Sequence, residues 1–340
     1  MSIPPTAGLF PGVISDINAE FIELKTDPDE SIALGIAMAV IGNIITTLGL
    51  NIQRLAHTKQ EQDDAIKGGG FGGASDTVPP THKNTWWLGV ALMILGEVGN
   101  FAAYGFAPAT LVAPLGAVSV VANAVYASLM LSEEFRMRDV FGTILVIMGG
   151  AGLAYTSPRK EAKLNSATLL AYIFSDIFFI YAGLMVLIYV CILSVSRRYH
   201  SRYVAFDLAL CAILGSCTVL ATKGLSVSLR MTFMAEENAF ASGVTYCLIA
   251  VMVLTASFQI RYLNRAMSNF GTSQVVPVYY VLFTLASVIG GIVLYREFAQ
   301  LVAWRISAFF GAVVVTFLGV HLITSDRPPP DRRATDDEEG

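Results

Sequence analysis

Charged residues are scarce in this sequence. Only 14% of its 340 residues are Asp, Glu, Lys or Arg, whereas 54% are hydrophobic. A soluble domain carries about a quarter charged residues, so a soluble fold could not cover this much apolar surface. Cysteine and histidine are also rare, at four of each. The sequence holds no phosphate-binding Gly loop, no zinc-binding His pair and no nucleophile elbow. We therefore expect no enzymatic activity, no resident cofactor and no nucleic-acid partner.

The apolar residues are concentrated in long runs. Each run approaches twenty residues, the length that crosses a hydrocarbon layer of about 30 Å as a helix. This pattern predicts an all-α polytopic membrane protein with about nine transmembrane helices, whose main partner is the lipid bilayer. The expected spans are 32–53, 86–107, 109–131, 140–156, 169–193, 204–225, 244–263, 272–294 and 301–323.

The segments outside these spans differ sharply in composition. Residues 1–31 and 324–340 are acidic tails, and the Gly-rich stretch 68–75 is typical of a flexible linker. Lys and Arg are more frequent in the loops that lie on the same side as the C-terminus, and cytoplasmic loops carry such an excess. The sequence thus predicts a transmembrane domain over 32–323, an outside N-terminus and a disordered C-terminal tail in the cytosol.

Two stretches of the sequence match each other at a constant separation. Pro and Glu-Phe recur at the same spacing, which composition alone explains poorly. The matching positions are Val112, Pro114, Val118, Val125, Leu131, Glu134 and Phe135 in the first copy and Val275, Pro277, Val281, Val288, Leu294, Glu297 and Phe298 in the second. We expect repeat halves over about 32–156 and 204–323, with 169–193 as a linker helix. The copies start five crossings apart, so they would be inverted, which is a transporter architecture.

Glu97 is the most informative polar residue, because it lies midway along the second span. An ionised side chain there costs at least roughly 2.5 kcal/mol, so it needs a partner or a function. Asn100 follows on the same helical face, and Asn43 and Asn123 lie within the first and third spans. Carboxylate and amide oxygens are ligands that suit Mg2+. These four residues are the candidate ligands of a transported ion.

Other charged residues in or near the spans have simpler interpretations. Glu97 could instead form an interhelical pair, for example with Lys223. Lys223 could also serve as an anion-binding charge or a Schiff-base lysine, although its position near a helix end favours snorkelling. Glu134 and Glu297 fall at span ends, where a solvated carboxylate is common. For Asn43 and Asn123, interhelical hydrogen bonds are as good an explanation as ligation.

Several motifs resemble those of the NIPA family of magnesium transporters. They are WWLG at 86–89, GEVGNF at 96–101, AYGFAPA at 103–109, LVAPLGAVSV at 111–120 and PVYYVLFT at 277–284. The resemblance covers about 32–323. It implies a nine-helix relative of the drug/metabolite transporter (DMT, EamA-like) superfamily, with Mg2+ transport at the plasma membrane or early endosome. Glu97 and Asn100 fall in the family's Gly-Glu-x-Gly-Asn motif, which implies a substrate role for them.

The expected function is therefore transport of Mg2+, with transport of other divalent cations left open. The ion would be bound at mid-membrane with part of its hydration shell. One alternative is a DMT-type carrier of an organic metabolite or nucleotide-sugar-like anion, for which Lys223 would be indispensable. A second is a non-transporting membrane scaffold or receptor. In the expected function, Mg2+ is a transported substrate and not a cofactor. The sequence does not decide whether the protein forms a homodimer.

Overall fold

The fold is helical throughout the part of the chain that the structure, a computed structural model, describes. The described residues are 28–68, 84–131, 136–158, 166–199, 204–234, 238–269, 272–299 and 301–325. The helices are α1 (Pro28–Gly68), α2 (Asn84–Phe106), α3 (Ala109–Leu115), α4 (Ala117–Leu131), α5 (Met137–Thr156), α6 (Ser166–Ile173), α7 (Asp176–Tyr199), α8 (Val204–Phe233), α9 (Gly243–Asn269), α10 (Thr272–Tyr295) and α11 (Ala303–Thr324), with a short 3-10 helix at Ala239–Ala241.

Nine stretches of helix among the described residues are long and apolar enough to cross a membrane. They are Glu30–Ala56, Asn84–Phe106, Ala109–Met130, Met137–Thr156, Asp176–Ser196, Ala205–Phe233, Gly243–Met267, Val275–Tyr295 and Ala303–Thr324. The predicted all-α polytopic membrane fold is confirmed. Most of the predicted Gly-rich linker (69–75), most of both acidic tails, Glu134 and Phe135 lie outside the described residues, whereas Gly68 ends α1.

The third span is interrupted, which the sequence analysis did not predict. Helix α3 ends at Leu115, Gly116 forms a turn, and α4 begins at Ala117. Pro114 is the sixth residue of α3 and has no N–H to donate, so it weakens the helical ladder there. Pro277 instead lies inside α10, which continues to Tyr295. The two repeat prolines therefore have different local effects.

The fifth span begins later than predicted. The region from residue 169 was expected to enter the membrane as one helix, but α6 ends at Ile173 and α7 begins at Asp176. The Ser175 hydroxyl accepts a 3.4 Å hydrogen bond from the Phe178 N–H, as a residue capping a helix start does. Ser and Asp favour such starts, so these two polar residues divide the apolar run.

Helix packing follows the repeat. Helix α1 packs against α2 and α4, and α8 packs in the same way against α9 and α10. Helix α5 packs mainly against α11, the last helix of the other copy. Corresponding helices thus make corresponding contacts. We propose residues 32–156 and 204–323 as the two halves, which exchange contacts through α5 and α11.

A hydrophobic core lies where the two halves meet. It joins Leu111 and Leu115 of α3 to Phe298 and Phe309 of the second half. The two phenyl rings meet edge to face with centroids 5.0 Å apart. The buried α3, at the start of the third span, thus connects the two halves. It also positions the polar residues considered next.

Helices α1 and α2 approach closely at two glycines. A Cβ on Gly96 would lie 2.6 Å from the Gly42 carbonyl oxygen, and one on Gly42 would lie 2.8 Å from the Gly96 carbonyl oxygen. Replacing Gly96 with Ala should therefore lower the thermal unfolding temperature of the purified protein, since overpacking costs about 1–3 kcal/mol. Gly183→Ala in α7 is the control, because nothing lies within 4 Å of its added Cβ. Equal melting of the two variants would contradict this close packing.

Candidate functional site

One face of α2 is exposed at Glu97 and becomes less exposed toward the C-terminal end of the helix. Glu97, Phe101 and Tyr104 share this face, because they are spaced at i, i+4 and i+7. Glu97 is exposed. Phe101 packs against an apolar cluster of the second half that includes Leu220, and Tyr104 packs against the core between the halves. The Tyr104 hydroxyl lies within electrostatic range of both Glu97 and Glu297. This face therefore points into the region between the halves.

Asn100 presents an amide oxygen beside this face. Its Oδ1 atom is buried and has no hydrogen-bond partner within the described ranges. A Cβ on Gly42 would lie 2.8 Å from that oxygen, so the amide lies against α1. An unsatisfied buried carbonyl oxygen costs about 1–3 kcal/mol. Asn100 thus has an unsatisfied acceptor, on a residue one helical turn from Glu97 along α2.

The other two candidate ligands already have hydrogen-bond partners. Asn43 donates through Nδ2 to the Ala39 carbonyl oxygen, 2.8 Å away on its own helix. Asn123 accepts through Oδ1 from Asn51 Nδ2 at 3.0 Å, which joins α4 to α1. Asn51 lies eight residues beyond Asn43 along α1, about 12 Å at the rise of a helix. The structure therefore brings Asn43 and Asn100 to one level of α1 and holds Asn123 at another.

Lys223 and Glu297 form a buried ion pair. Lys223 Nζ lies 3.1 Å from Glu297 Oε1, and the two side chains are 0% and 1% exposed. The prediction that Lys223 snorkels to the interface was wrong, and so was the prediction that Glu297 is solvated. The interhelical pair suggested for Glu97 with Lys223 is likewise replaced by this one. A charge taken out of water needs an opposite charge, and each residue supplies it for the other.

The backbone around residues 107–110 completes this pair. Glu297 accepts hydrogen bonds from the N–H of Ala109 at 2.8 Å and of Thr110 at 2.9 Å. Lys223 donates to the Ala107 carbonyl oxygen at 3.2 Å, and its Nζ lies 5.5 Å from the centroid of the Tyr295 ring. Two residues of the second half thus bind the connection between α2 and α3 of the first half.

The sequence held one signal for this arrangement. A lysine within an apolar run needs a counter-charge, and the repeat had already singled out Glu297. The two residues are distant in the chain, so only the packing of α8 against α10 shows that they meet.

The second half contains an uncharged polar pair. Gln259 donates through Nε2 to the Tyr279 hydroxyl at 2.7 Å. The Tyr279 ring stacks on Phe283 with centroids 5.5 Å apart, and its hydroxyl lies within electrostatic range of Tyr104. Hydroxyl and amide groups of this kind can bond water around an ion. In the described residues, no group of three or more His, Cys, Asp or Glu could hold a metal ion.

Comparison with known proteins decides the family. The family described as "Magnesium transporter NIPA" matches residues 30–328. The chain belongs to this family. The NIPA resemblance inferred from the motifs is confirmed, and transporters of this family are not enzymes, as expected.

The relatives of this NIPA family member are similar over most of the chain. NIPA-like protein 2 of Homo sapiens is 33% identical over 86% of this chain and 73% of its own length. Magnesium transporter NIPA4 of Mus musculus is 34% identical over 75% of this chain and 61% of its own length. Probable magnesium transporter NIPA1 of Arabidopsis thaliana is 31% identical over 70% of this chain and 71% of its own length. No solved structure matches.

Proposed function

We propose that this protein transports Mg2+ across a membrane and that Glu97 and Asn100 bind the partly hydrated ion. Of the relatives described above, one is named as a magnesium transporter and one as a probable magnesium transporter. The observation that carries the site is the exposed Glu97 carboxylate at mid-span, one helical turn from the unsatisfied Asn100 oxygen. Mg2+ is bound by oxygen ligands, usually keeps several waters and takes one or two carboxylates.

The surrounding residues support a hydrated ion more than a fully coordinated one. One carboxylate and one amide oxygen leave most positions of an octahedral ion to water. Tyr104, Gln259 and Tyr279 would bond those waters. Asn43 and Asn123 remain in the proposed set. The Asn123 oxygen already accepts a hydrogen bond from Asn51, so we expect it to contribute less, whereas the hydrogen bond of Asn43 uses Nδ2 and does not engage its oxygen.

The charge balance of the interior favours a cation over an organic anion. An anion carrier needs a positive charge available to substrate, and the Lys223 ammonium is paired with Glu297 and sealed from solvent. Glu97 is exposed, so its negative charge remains available to a divalent ion. Whether other divalent cations are carried depends on how tightly the site holds its waters.

The topology in the membrane is part of the same proposal. Arg138 at the start of α5 and Arg261 and Arg265 near the end of α9 fall on the side of the C-terminus. We therefore place the C-terminus in the cytosol and the N-terminus outside, at the plasma membrane or early endosome. Formation of a homodimer is compatible with this proposal.

Flux into liposomes tests the function directly. The purified full-length protein, reconstituted around an entrapped Mg2+-sensitive dye, is expected to admit Mg2+ faster than protein-free liposomes. Ca2+, Mn2+ and Zn2+ with matching dyes measure selectivity. Uptake of an organic anion without Mg2+ flux would support the carrier alternative, and no flux of any solute would support the scaffold or receptor.

A further inference from the structure

We propose that the ion pair Lys223–Glu297 and the backbone of residues 107–110 form a latch between the two halves, which closes one end of the transport pathway and opens in each cycle. These residues are called the latch below. The role as a gate rests on the proposed transport function, whereas the latch contacts themselves do not.

The contacts of the latch cross from one half to the other. Glu297 holds the N–H groups of Ala109 and Thr110, and Lys223 holds the Ala107 carbonyl oxygen. The ion pair joins α8 to the segment after α10 within the second half. Separating the halves at this point therefore exposes two charges and three backbone groups together. The latch is therefore a two-state element, which is either formed or broken and does not open gradually.

The latch lies at one face of the membrane. The connection between α2 and α3 follows the second span, and Glu297 follows the eighth span. Six crossings separate the two connections, so both lie on the same face, which is also the face of the chain preceding α1. In the proposed topology this is the outside. The latch thus joins two connections that share one end of the helix bundle.

The pathway narrows from Glu97 toward the latch. Glu97 is exposed, whereas Tyr104, two turns nearer the latch, is packed into the core between the halves. At the latch itself, a Cβ on Gly291 would lie 3.0 Å from Glu297 Oε2 and 3.2 Å from Thr110 Cγ2. A single methyl group at Gly291 would fit only if its neighbours shifted by a few tenths of an ångström, and a hydrated ion is far larger. An ion bound at Glu97 can leave through this face only after the latch has opened.

Polar contacts are suited to a closure that must reopen. When the halves separate, water can replace each partner of the charged and backbone groups. A second buried carboxylate offers a contrast, because its partners lie on α7 and α9 and not in the first half. Asp207 of α8 pairs with Arg265 of α9 and accepts a 3.1 Å hydrogen bond from Ser196 of α7. Breaking that pair should disturb the second half without opening the latch.

Cysteine labelling tests the latch without measuring transport. In a background with the native cysteines replaced by Ala, Thr110→Cys places a thiol beside the latch and keeps the backbone N–H that binds Glu297. The variant Glu297→Gln should raise the rate of labelling by a membrane-impermeant maleimide about tenfold or more. Asp207→Asn is the matched control and should leave the rate unchanged. An unchanged rate in Glu297→Gln, or an equal rise in both variants, would overturn the proposal.

A disulfide across the latch tests whether it opens during transport. In the double variant Thr110→Cys with Gly291→Cys, the added Cβ at position 291 would lie 3.2 Å from the present position of Thr110 Cγ2, which is close enough for a disulfide. Oxidation should reduce Mg2+ flux in proportion to the fraction of protein that is cross-linked, which mass spectrometry measures. Near-complete cross-linking should reduce the flux by about tenfold or more, and a reductant should restore it. Cross-linked protein with undiminished flux would overturn the proposed gate. If the unmodified protein carried no Mg2+, the labelling rates would still decide whether the latch closes this face.

Discussion

Replacement of Glu97 by Gln is expected to reduce Mg2+ flux into liposomes by about tenfold or more. The change keeps the size of the side chain and removes its charge, so helix packing should persist while the carboxylate ligand is lost. Even partners outside the ligand shell alter metal affinity by about 10- to 100-fold, and a direct ligand should matter at least as much. The measurement is initial flux against Mg2+ concentration, in which the half-maximal concentration should rise.

The control for this prediction is a carboxylate of the same chain outside the proposed site. Asp176 is exposed in the first turn of α7, so Asp176→Asn removes one negative charge at the end of a span. It should leave flux close to that of the unmodified protein. Retained flux in Glu97→Gln, with normal folding, would exclude this site assignment and leave the transport proposal in place. Loss of flux in both variants would indicate a general effect of charge.

The number of spans could be predicted because each helix that crosses the lipid needs a continuous run of about twenty apolar residues, which is visible locally in the sequence. Runs near twenty residues with few charges leave few alternatives, and nine such helices are found within the described ranges. The interruptions were missed for an equally physical reason. The break at Gly116 lies inside an apolar run, where only the missing N–H of Pro114 marks it. The turn at Ser175 is marked only by Ser175 and Asp176, two polar residues in a run that is otherwise apolar.

The candidate site was only partly predictable. Glu97 and Asn100 were found because both lie on one helix, and helical periodicity alone places them together. The grouping of Asn43 with Asn123 depended on how α1 meets α4, and the partner of Asn123 proves to be Asn51. Partners on different helices are set by three-dimensional packing, which one sequence leaves open.

The errors at Lys223 and Glu297 have the same origin. Each residue taken alone lies near a span end, where water or headgroups can solvate a charge. The packing of α8 beside the end of α10 withdraws both from solvent and makes each the counter-charge of the other. Burial of one charge alone costs too much free energy, whereas two opposite charges offset part of that cost for each other. An argument from either residue alone therefore could not predict the buried pair.

Replacement of Lys223 alone by Met is expected to destabilise the protein strongly. It leaves the Glu297 carboxylate buried without its cation, and removal of one member of a buried ion pair costs about 3–5 kcal/mol. Thermal unfolding of the purified protein should show a marked fall in melting temperature. The double variant Lys223→Met with Glu297→Gln should melt above Lys223→Met alone, because no unpaired charge remains and the amide oxygen of the new side chain can still accept from Ala109 or Thr110.

This non-additive result separates a true ion pair from two independent contacts. Residues that interact directly show coupling energies of about 0.5–3 kcal/mol in a double-mutant cycle, whereas distant sites add. If the double variant lost as much stability, relative to the unmodified protein, as the two single variants lose together, the pair would not be coupled. Recovery in the double variant, together with faster labelling at position 110, would mean that the charges are needed to hold the two halves together, while the helices themselves fold without them.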